Sequence, residues 1–431
     1  MKVAIIGGGL AGISAAYTLL ANRNVTEVHL FESSGGFGGR ARTDSTSIPG
    51  FAFDMGAQYI QDPDINPLVQ IAKDLKFTTV AEDASYMLRV DTVDGWVDEP
   101  TTTPDVQAVV DAIQASYNKA ETQPNTIVAP KPSFDTQVEM FGHATSTYGP
   151  FTESAETWQY IAADRAREAG GDHGNNLFVP QGIGTLVATH GQQLAKLYPT
   201  RFTAHFNATV KAVNYGDSSA TVTWGSNSLQ VDACIVTVPV SVLGSGAIAF
   251  TPALPAAYTG ALKALRLGSY KKLALKLRTD PESIVPGTNY YLIETEPEGV
   301  WQYYRLPYAP SVLVAHAAGD FAAALDGMAD SDVFTLFKTS IQTACDDVFF
   351  TTGKAITNWG KAPGVNGAYS YTAFIGGGPT DPTTLQARTT LGTPLKTLHF
   401  AGEATNLKYY GTLQAACFEG ERAAQDVLAS A

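Results

Sequence analysis

Residues 2–32 constrain this chain more than any other stretch. The run KVAII at residues 2–6 is apolar without polar alternation, the pattern of a strand buried on both faces of a parallel sheet. It leads into GGGLAG at residues 7–12, then into residues 13–21, which carry apolar side chains at helical spacing. VHLF at residues 28–31 reads as a second strand, closed by Glu32. Each part has a physical task. Gly7 permits a tight turn, Gly9 lets the backbone approach a pyrophosphate, and Gly12 lets helix and strand pack closely. The unpaired N–H groups of the helix start, near Ala11, favour phosphate charge, and Glu32 can accept hydrogen bonds from ribose hydroxyls. A glycine triplet alone is a common turn. Strand, glycines, helix, strand and acid in this order predict a dinucleotide-binding unit.

With 431 residues the chain exceeds what one hydrophobic core usually fills, so two closely packed domains are predicted. Its 45% hydrophobic and 16% charged residues describe an ordinary globular enzyme. A net charge of −13 argues against nucleic acid as a partner, which calls for a basic face. The same charge is compatible with cationic substrates, although acidity most often serves solubility. Cys234, Cys345 and Cys417 are far apart in apolar surroundings and lack metal or CxxC spacing, so inert buried thiols and no metal are expected. The first buried strand begins at residue 2, which leaves no room for a signal peptide. No apolar run reaches membrane-spanning length, and the last residues form an amphipathic helix. The expectation is a cytoplasmic protein without membrane contact.

Further glycine-rich segments follow. SSGGFGGRART at residues 33–43 sets Gly36, Gly38 and Gly39 before Arg40 and Arg42, and arginine can bridge phosphate oxygens bidentately. Taken alone, a flexible basic loop explains it equally. FDMGAQYI at residues 53–60 again combines small residues, as close approach of a ligand requires. Later come FVPQGIGTL at 178–186, LHFAGEAT at 398–405, and GTLQAA at 411–416 leading into EGERAA at 419–424. Strands are predicted at residues 208–213, 220–224, 231–238, 270–277, 288–295 and 299–306, and a helix at 330–348.

In this combination the motifs resemble the flavin-dependent amine oxidase superfamily, which includes monoamine and polyamine oxidases. The wording GAQYI is similar to renalase, whereas the C-terminal half resembles the amine oxidases more. The resemblance covers both ends and the middle; residues 61–177 and 282–350 match nothing recognised. It implies an α/β fold, with a Rossmann-type FAD-binding domain interleaved with an α+β substrate-binding domain. The first is expected from residues 1–60, 178–250 and 355–431, the second from residues 61–177 and 251–354. Gly7, Gly9, Ala11, Gly12 and Glu32 would hold the nucleotide, with Val210 offering its backbone to the adenine. Gly39, Arg40, Arg42, Gly56, Ala57, Gln58 and Tyr59 would lie along the cofactor. Gly402 and Glu403 match the segment whose acid binds the ribityl chain, against the plainer reading of a helix-capping acid. Thr412 and Leu413 open the last helix, whose positive end would stabilise negative charge on the reduced ring.

Lys272 aligns with a lysine that relatives hold near the flavin through a water; burial lowers a lysine pKa, which suits proton handling or oxygen activation. Lys271 is the alternative, since alternation along a strand sends one of the two outward. Ala368 stands where monoamine oxidases carry the cysteine that links to flavin, so non-covalent FAD is implied. Tyr369 matches one tyrosine of an aromatic pair that flanks the amine, while Thr412 occupies the second place. Trp359 matches a tryptophan packed on the flavin, with core packing an equal alternative. For Tyr148, Trp301 and Tyr303, core packing is favoured over pocket lining. The resulting expectation is an FAD-dependent oxidase taking hydride from a small-molecule amine, with molecular oxygen as second substrate. The alternatives are a carbon–carbon desaturase, a renalase-like dihydropyridine oxidase, or a flavin-binding protein without turnover. Oligomeric state is not legible.

Overall fold

The computed structural model describes residues 1–82, 87–92, 95–98, 176–286, 289–295, 299–373, 375 and 382–430. At its centre lies a parallel sheet whose described strands run in the order Phe202–His205, Glu27–Phe31, Lys2–Ile6, Ala233–Val236 and Leu398–Phe400. The apolar continuity of Lys2–Ile6 has its cause here. Val3, Ala4 and Ile5 are fully buried between layers on both faces.

The first helix, Leu10–Ala21, begins three residues earlier than its apolar spacing predicts, because Gly9 takes the N-cap position in extended conformation. Two glycines set how closely it packs. A Cβ on Gly12 would lie 2.1 Å from the Gly7 carbonyl oxygen, and one on Gly420 2.1 Å from that of Ala11. The second contact docks the C-terminal helix Leu413–Ala429 against the first. A small sheet of Val210–Tyr215, Ala220–Trp224, Asn227–Val231 and Ala249–Thr251 flanks the central one. The sequence reading starts the first of these two residues early and extends the run after residue 231 too far, since Ala233–Val236 ends before the turn at Pro239. It misses Asn227–Val231, whose exposed polar side chains hide the strand pattern.

A second sheet runs in the order Phe350–Ile356, Tyr270–Leu277, Ala309–Ala318, Gly299–Leu306, Asn289–Thr295, Met87–Thr92 and Gly95–Asp98. Its two faces have separate tasks. Leu273, Leu275, Trp301, Tyr303, Ala315 and Ala317 pack against the helices Gly319–Gly327 and Asp330–Ala344. Ala274, Tyr304 and Val314, from the alternate positions, pack with Phe53 and Phe178. Trp301 and Tyr303 are therefore core residues, as the plainer reading had it. Tyr148 lies outside the described residues. The three cysteines are buried and form no disulfide. No helix among the described residues is long and apolar enough to cross a membrane.

Candidate active site

The glycine loop leaves a groove at the end of the central sheet. Gly7 adopts φ +118°, where a Cβ would strike the Thr237 hydroxyl, so the turn admits glycine alone. At Gly9 a Cβ would meet only the Gly38 carbonyl, 3.9 Å away, so the surface there is open. No side chain caps the helix that follows, and its first N–H groups, around Ala11, are left for a ligand. Glu32 ends the second strand with its carboxylate beside the loop, accepting from Gly8 N and Ser34 N at 2.7 Å each. The Ala208 amide bonds to the Glu32 carbonyl at 2.9 Å, which brings Val210 to the same edge. Gly39 adopts φ +62°, and a Cβ there would lie 3.3 Å from the Gly9 Cα.

The wall continues through residues 40–59. Arg40 donates to the Ala368 carbonyl at 2.8 Å and to Glu403 Oε1 at 2.7 Å. Arg42 instead has an exposed side chain, and its carbonyl accepts the Met55 amide at 2.8 Å. Gly56 lies on the Arg40 carbonyl and beside Trp359, whose indole donates to the Met55 carbonyl at 2.8 Å. Ala57 is partly buried, and the Tyr59 ring tilts against Phe178. Glu403 is buried under the start of the last helix, where Oε2 accepts from Ser370 at 2.6 Å and from Gly411 N at 2.8 Å. Burial alone would raise its pKa. The Arg40 charge, the Ser370 hydrogen bond and the Arg388 charge outweigh that and hold the carboxyl below its ordinary value. Gly402, at φ +143°, borders open space. Thr412 caps the helix that Leu413 begins, its hydroxyl accepting from Ala415 N at 3.2 Å.

Across from this wall stands the second sheet. Lys272 is buried, and its ammonium reaches the Asp54 carbonyl at 2.5 Å, Gln58 Oε1 at 2.7 Å and the Gly56 carbonyl at 3.2 Å. Burial pushes its pKa down to about 7, opposed in part by the Asp54 carboxylate. The Asp54 carboxyl is itself pushed up to about 6 by burial, against hydrogen bonds from Ile183 N and Thr43 and the Lys272 charge. Lys271 corrects an expectation. It faces the other side of the sheet, yet it is not exposed: it is fully buried and pairs with Asp326 at 2.7 Å and with Asn358. Helices cover that face, so neither lysine reaches solvent.

Several groups here escape the sequence reading. His316 sits directly opposite Lys272 on the neighbouring strand and bonds to the hydroxyls of Tyr270 at 2.8 Å and Tyr304 at 3.2 Å. The Tyr304 hydroxyl also accepts from Gln58. Burial, then the Lys272 charge, hold His316 well below its ordinary pKa, so it is neutral. Tyr270 was legible in principle, because residues two apart in a strand share a face. Ser370 and Arg388, distant in sequence from Glu403, carried no local signal. Tyr369 is partly exposed, beside Gly411 and against the Tyr270 ring.

Open glycine surface, an uncapped helix start and an acid at the second strand's end match the diphosphate and ribose of a dinucleotide. A family model described as flavin-containing amine oxidoreductase matches residues 10–428. The chain belongs to this family. It is an FAD-dependent oxidoreductase of α/β fold. Among curated relatives, FLOWERING LOCUS D of Arabidopsis thaliana is 28% identical over 460 residues, covering 100% of this chain, which spans only 56% of that relative's length. Polyamine oxidase 4 of Oryza sativa subsp. japonica is 26% identical over 464 residues, covering 99% of this chain and 88% of its own. Among solved structures, cyclohexylamine oxidase from Brevibacterium oxydans IH-35A superposes with a TM-score of 0.79 at 16% identity, over 99% of this chain and 98% of that one. Putrescine oxidase bound to putrescine gives a TM-score of 0.77 at 17% identity, over 100% and 99% of the two chains. At such identities the structural likeness concerns the fold alone.

Proposed function

We propose that this oxidoreductase is an oxidase of small-molecule amines: the substrate loses hydride from the carbon bearing nitrogen, leaves as an imine that water hydrolyses, and oxygen is reduced to hydrogen peroxide. Bound FAD supplies the two-electron chemistry. The chain's own residues supply the rest. Gly7, Gly9, Gly12 and Glu32 hold the nucleotide end, while Glu403, fixed by Arg40 and Ser370, orients the middle of the cofactor. Ala368 has no thiol to offer, so the cofactor is held without a covalent bond. The N-terminal end of Leu413–Ala429, capped by Thr412, directs partial positive charge at the site.

The observation that carries this reading is Lys272. A buried lysine brought to a pKa of about 7, its three donors spent on the Asp54 and Gly56 carbonyls and Gln58, exchanges protons at neutral pH. The test is anaerobic mixing of the purified yellow protein with benzylamine, cyclohexylamine, putrescine, spermidine and L-amino acids, watching flavin bleaching. Bleaching by at least one amine is expected. If no amine acts while a reduced nicotinamide bleaches the flavin, the enzyme is a dihydropyridine oxidase and the amine reading falls.

A further inference from the structure

Given that the site oxidises amines, we infer that Tyr270 is a substrate-contacting, specificity-determining residue and that His316 positions it. Tyr270 opens the strand Tyr270–Leu277 and shares a face with Lys272 two residues on. On that face Lys272 and His316 are 2% and 4% exposed, whereas Tyr270 is partly exposed. Its ring meets that of Tyr369 at 5.9 Å between centroids and an angle of 50°. A flat ligand between two rings needs them roughly 7 Å apart, twice a van der Waals contact. The two rings therefore form a corner, and an occupant lies against both. Tyr369 in turn rests beside Gly411, next to the start of the last helix.

The corner is held from behind. The Tyr270 hydroxyl bonds to His316 Nδ1 at 2.8 Å, and His316 Nε2 to the Tyr304 hydroxyl at 3.2 Å. Gln58 donates to Tyr304 and accepts from Lys272 at 2.7 Å. One hydrogen-bonded row thus sets the angle of the Tyr270 ring and the place of the Lys272 ammonium together. Because His316 is neutral, the row brings no second cation against an ammonium substrate. Two aromatic rings at an angle present π-faces and edges, which suit an amine whose nitrogen adjoins an apolar or aryl body.

Benzyltrimethylammonium is the probe, because its nitrogen has no lone pair and it reports binding without oxidation. It is titrated into the holoenzyme and followed by flavin absorbance. Tyr270→Leu is expected to raise its Kd by about tenfold or more, and Tyr270→Phe, which keeps the ring, by about threefold or less. His316→Gln should match the effect of Tyr270→Phe on this Kd and add nothing on top of it, since its bond to Tyr270 is through that hydroxyl. An unchanged Kd in Tyr270→Leu, or no saturable response of the wild type, overturns the assignment of Tyr270. Additive effects of His316→Gln and Tyr270→Phe overturn the positioning role, and this comparison holds even if Tyr270→Leu fails to fold. Should no amine bleach the wild-type flavin, the amine reading fails separately, and the cation titration still decides whether Tyr270 shapes the pocket.

Discussion

Lys271 and Lys272 follow one another in a single strand, both are buried, and their ammonium groups lie on opposite faces of the sheet. Lys272 reaches main-chain carbonyls and Gln58 on the face that packs with Phe53 and Phe178; Lys271 pairs with Asp326 at 2.7 Å on the helix side. Alternation along the strand sends the two ammonium groups to different partners. The two burials have different consequences: one charge is bonded directly to a carboxylate, the other to two carbonyls and an amide, with the Asp54 carboxylate acting on it only through space.

Removing the partner of Lys271 leaves an uncompensated charge in the core. Asp326→Ala is expected to destabilise the holoenzyme by about 3–5 kcal/mol in urea denaturation. Lys271→Met combined with Asp326→Leu should recover most of that loss, because an apolar pair of similar volume needs no partner. A single variant as stable as the wild type would show that the pair contributes nothing.

The glycines divide into two kinds by what a methyl group would meet. Gly420→Ala places its Cβ 2.1 Å from the Ala11 carbonyl and should cost about 1–3 kcal/mol or more, seen as a lower thermal midpoint. Gly9→Ala finds only one atom, at 3.9 Å, and already has extended backbone, so the apoprotein should keep its stability. Its loss should fall on FAD affinity. Equal FAD binding by Gly9→Ala would place the cofactor's phosphates elsewhere.

Glu32 receives two amide hydrogen bonds, from Gly8 and Ser34, before any ribose is considered. Glu32→Ala is expected to weaken FAD binding by about 1–3 kcal/mol, the range for a lost charged hydrogen bond. Reconstitution of apoprotein, followed by flavin fluorescence, measures it. Glu32→Gln should be intermediate, retaining acceptor geometry without charge.

Much of the strand, glycine loop and helix at the start of the chain was legible because its signals are local. Gly7, Gly9, Gly12 and Glu32 lie within one βαβ unit, and each residue type answers to a backbone need that spacing reveals. The strand carrying Lys272 was legible too, but the sign of exposure at Lys271 was not: alternation fixes the opposite face, and only tertiary packing of Gly319–Gly327 and Asp330–Ala344 makes that face dry. His316 illustrates the remaining gap. A lone histidine in a strand has no pattern, and its meaning comes from the register that sets it opposite Lys272 and within reach of Tyr270 and Tyr304. Ser370 and Arg388 converge on Glu403 and its neighbour Ala404 in the same non-local way.

The two shifted groups, Lys272 and Asp54, give stability a dependence on pH. Lys272 falls from an ordinary 10.5 to about 7, so between those values the unfolded chain binds a proton that the folded chain lacks, and stability rises with pH. Below pH 7 both states bind it, and the full penalty of burying the charge remains. Asp54 rises from 3.8 to about 6, so across that window the folded carboxyl keeps a proton the unfolded chain has lost, and stability falls as pH rises. Together they contribute least between about pH 6 and 7. Lys272→Met approximates the length and removes the charge; because that charge holds Asp54 down, Asp54 rises further in the variant, which changes the difference in the same direction as the lysine's own share. The unfolding free energy of wild type relative to Lys272→Met should therefore improve by about 1–2 kcal/mol from pH 6.5 to 8.5, given 1.36 kcal/mol per unit at most. A difference that stays flat over this range would mean that Lys272 keeps its proton in the fold, stabilised by the Asp54 and Gly56 carbonyls and Gln58. Proton exchange at neutral pH would then have to be carried by another group.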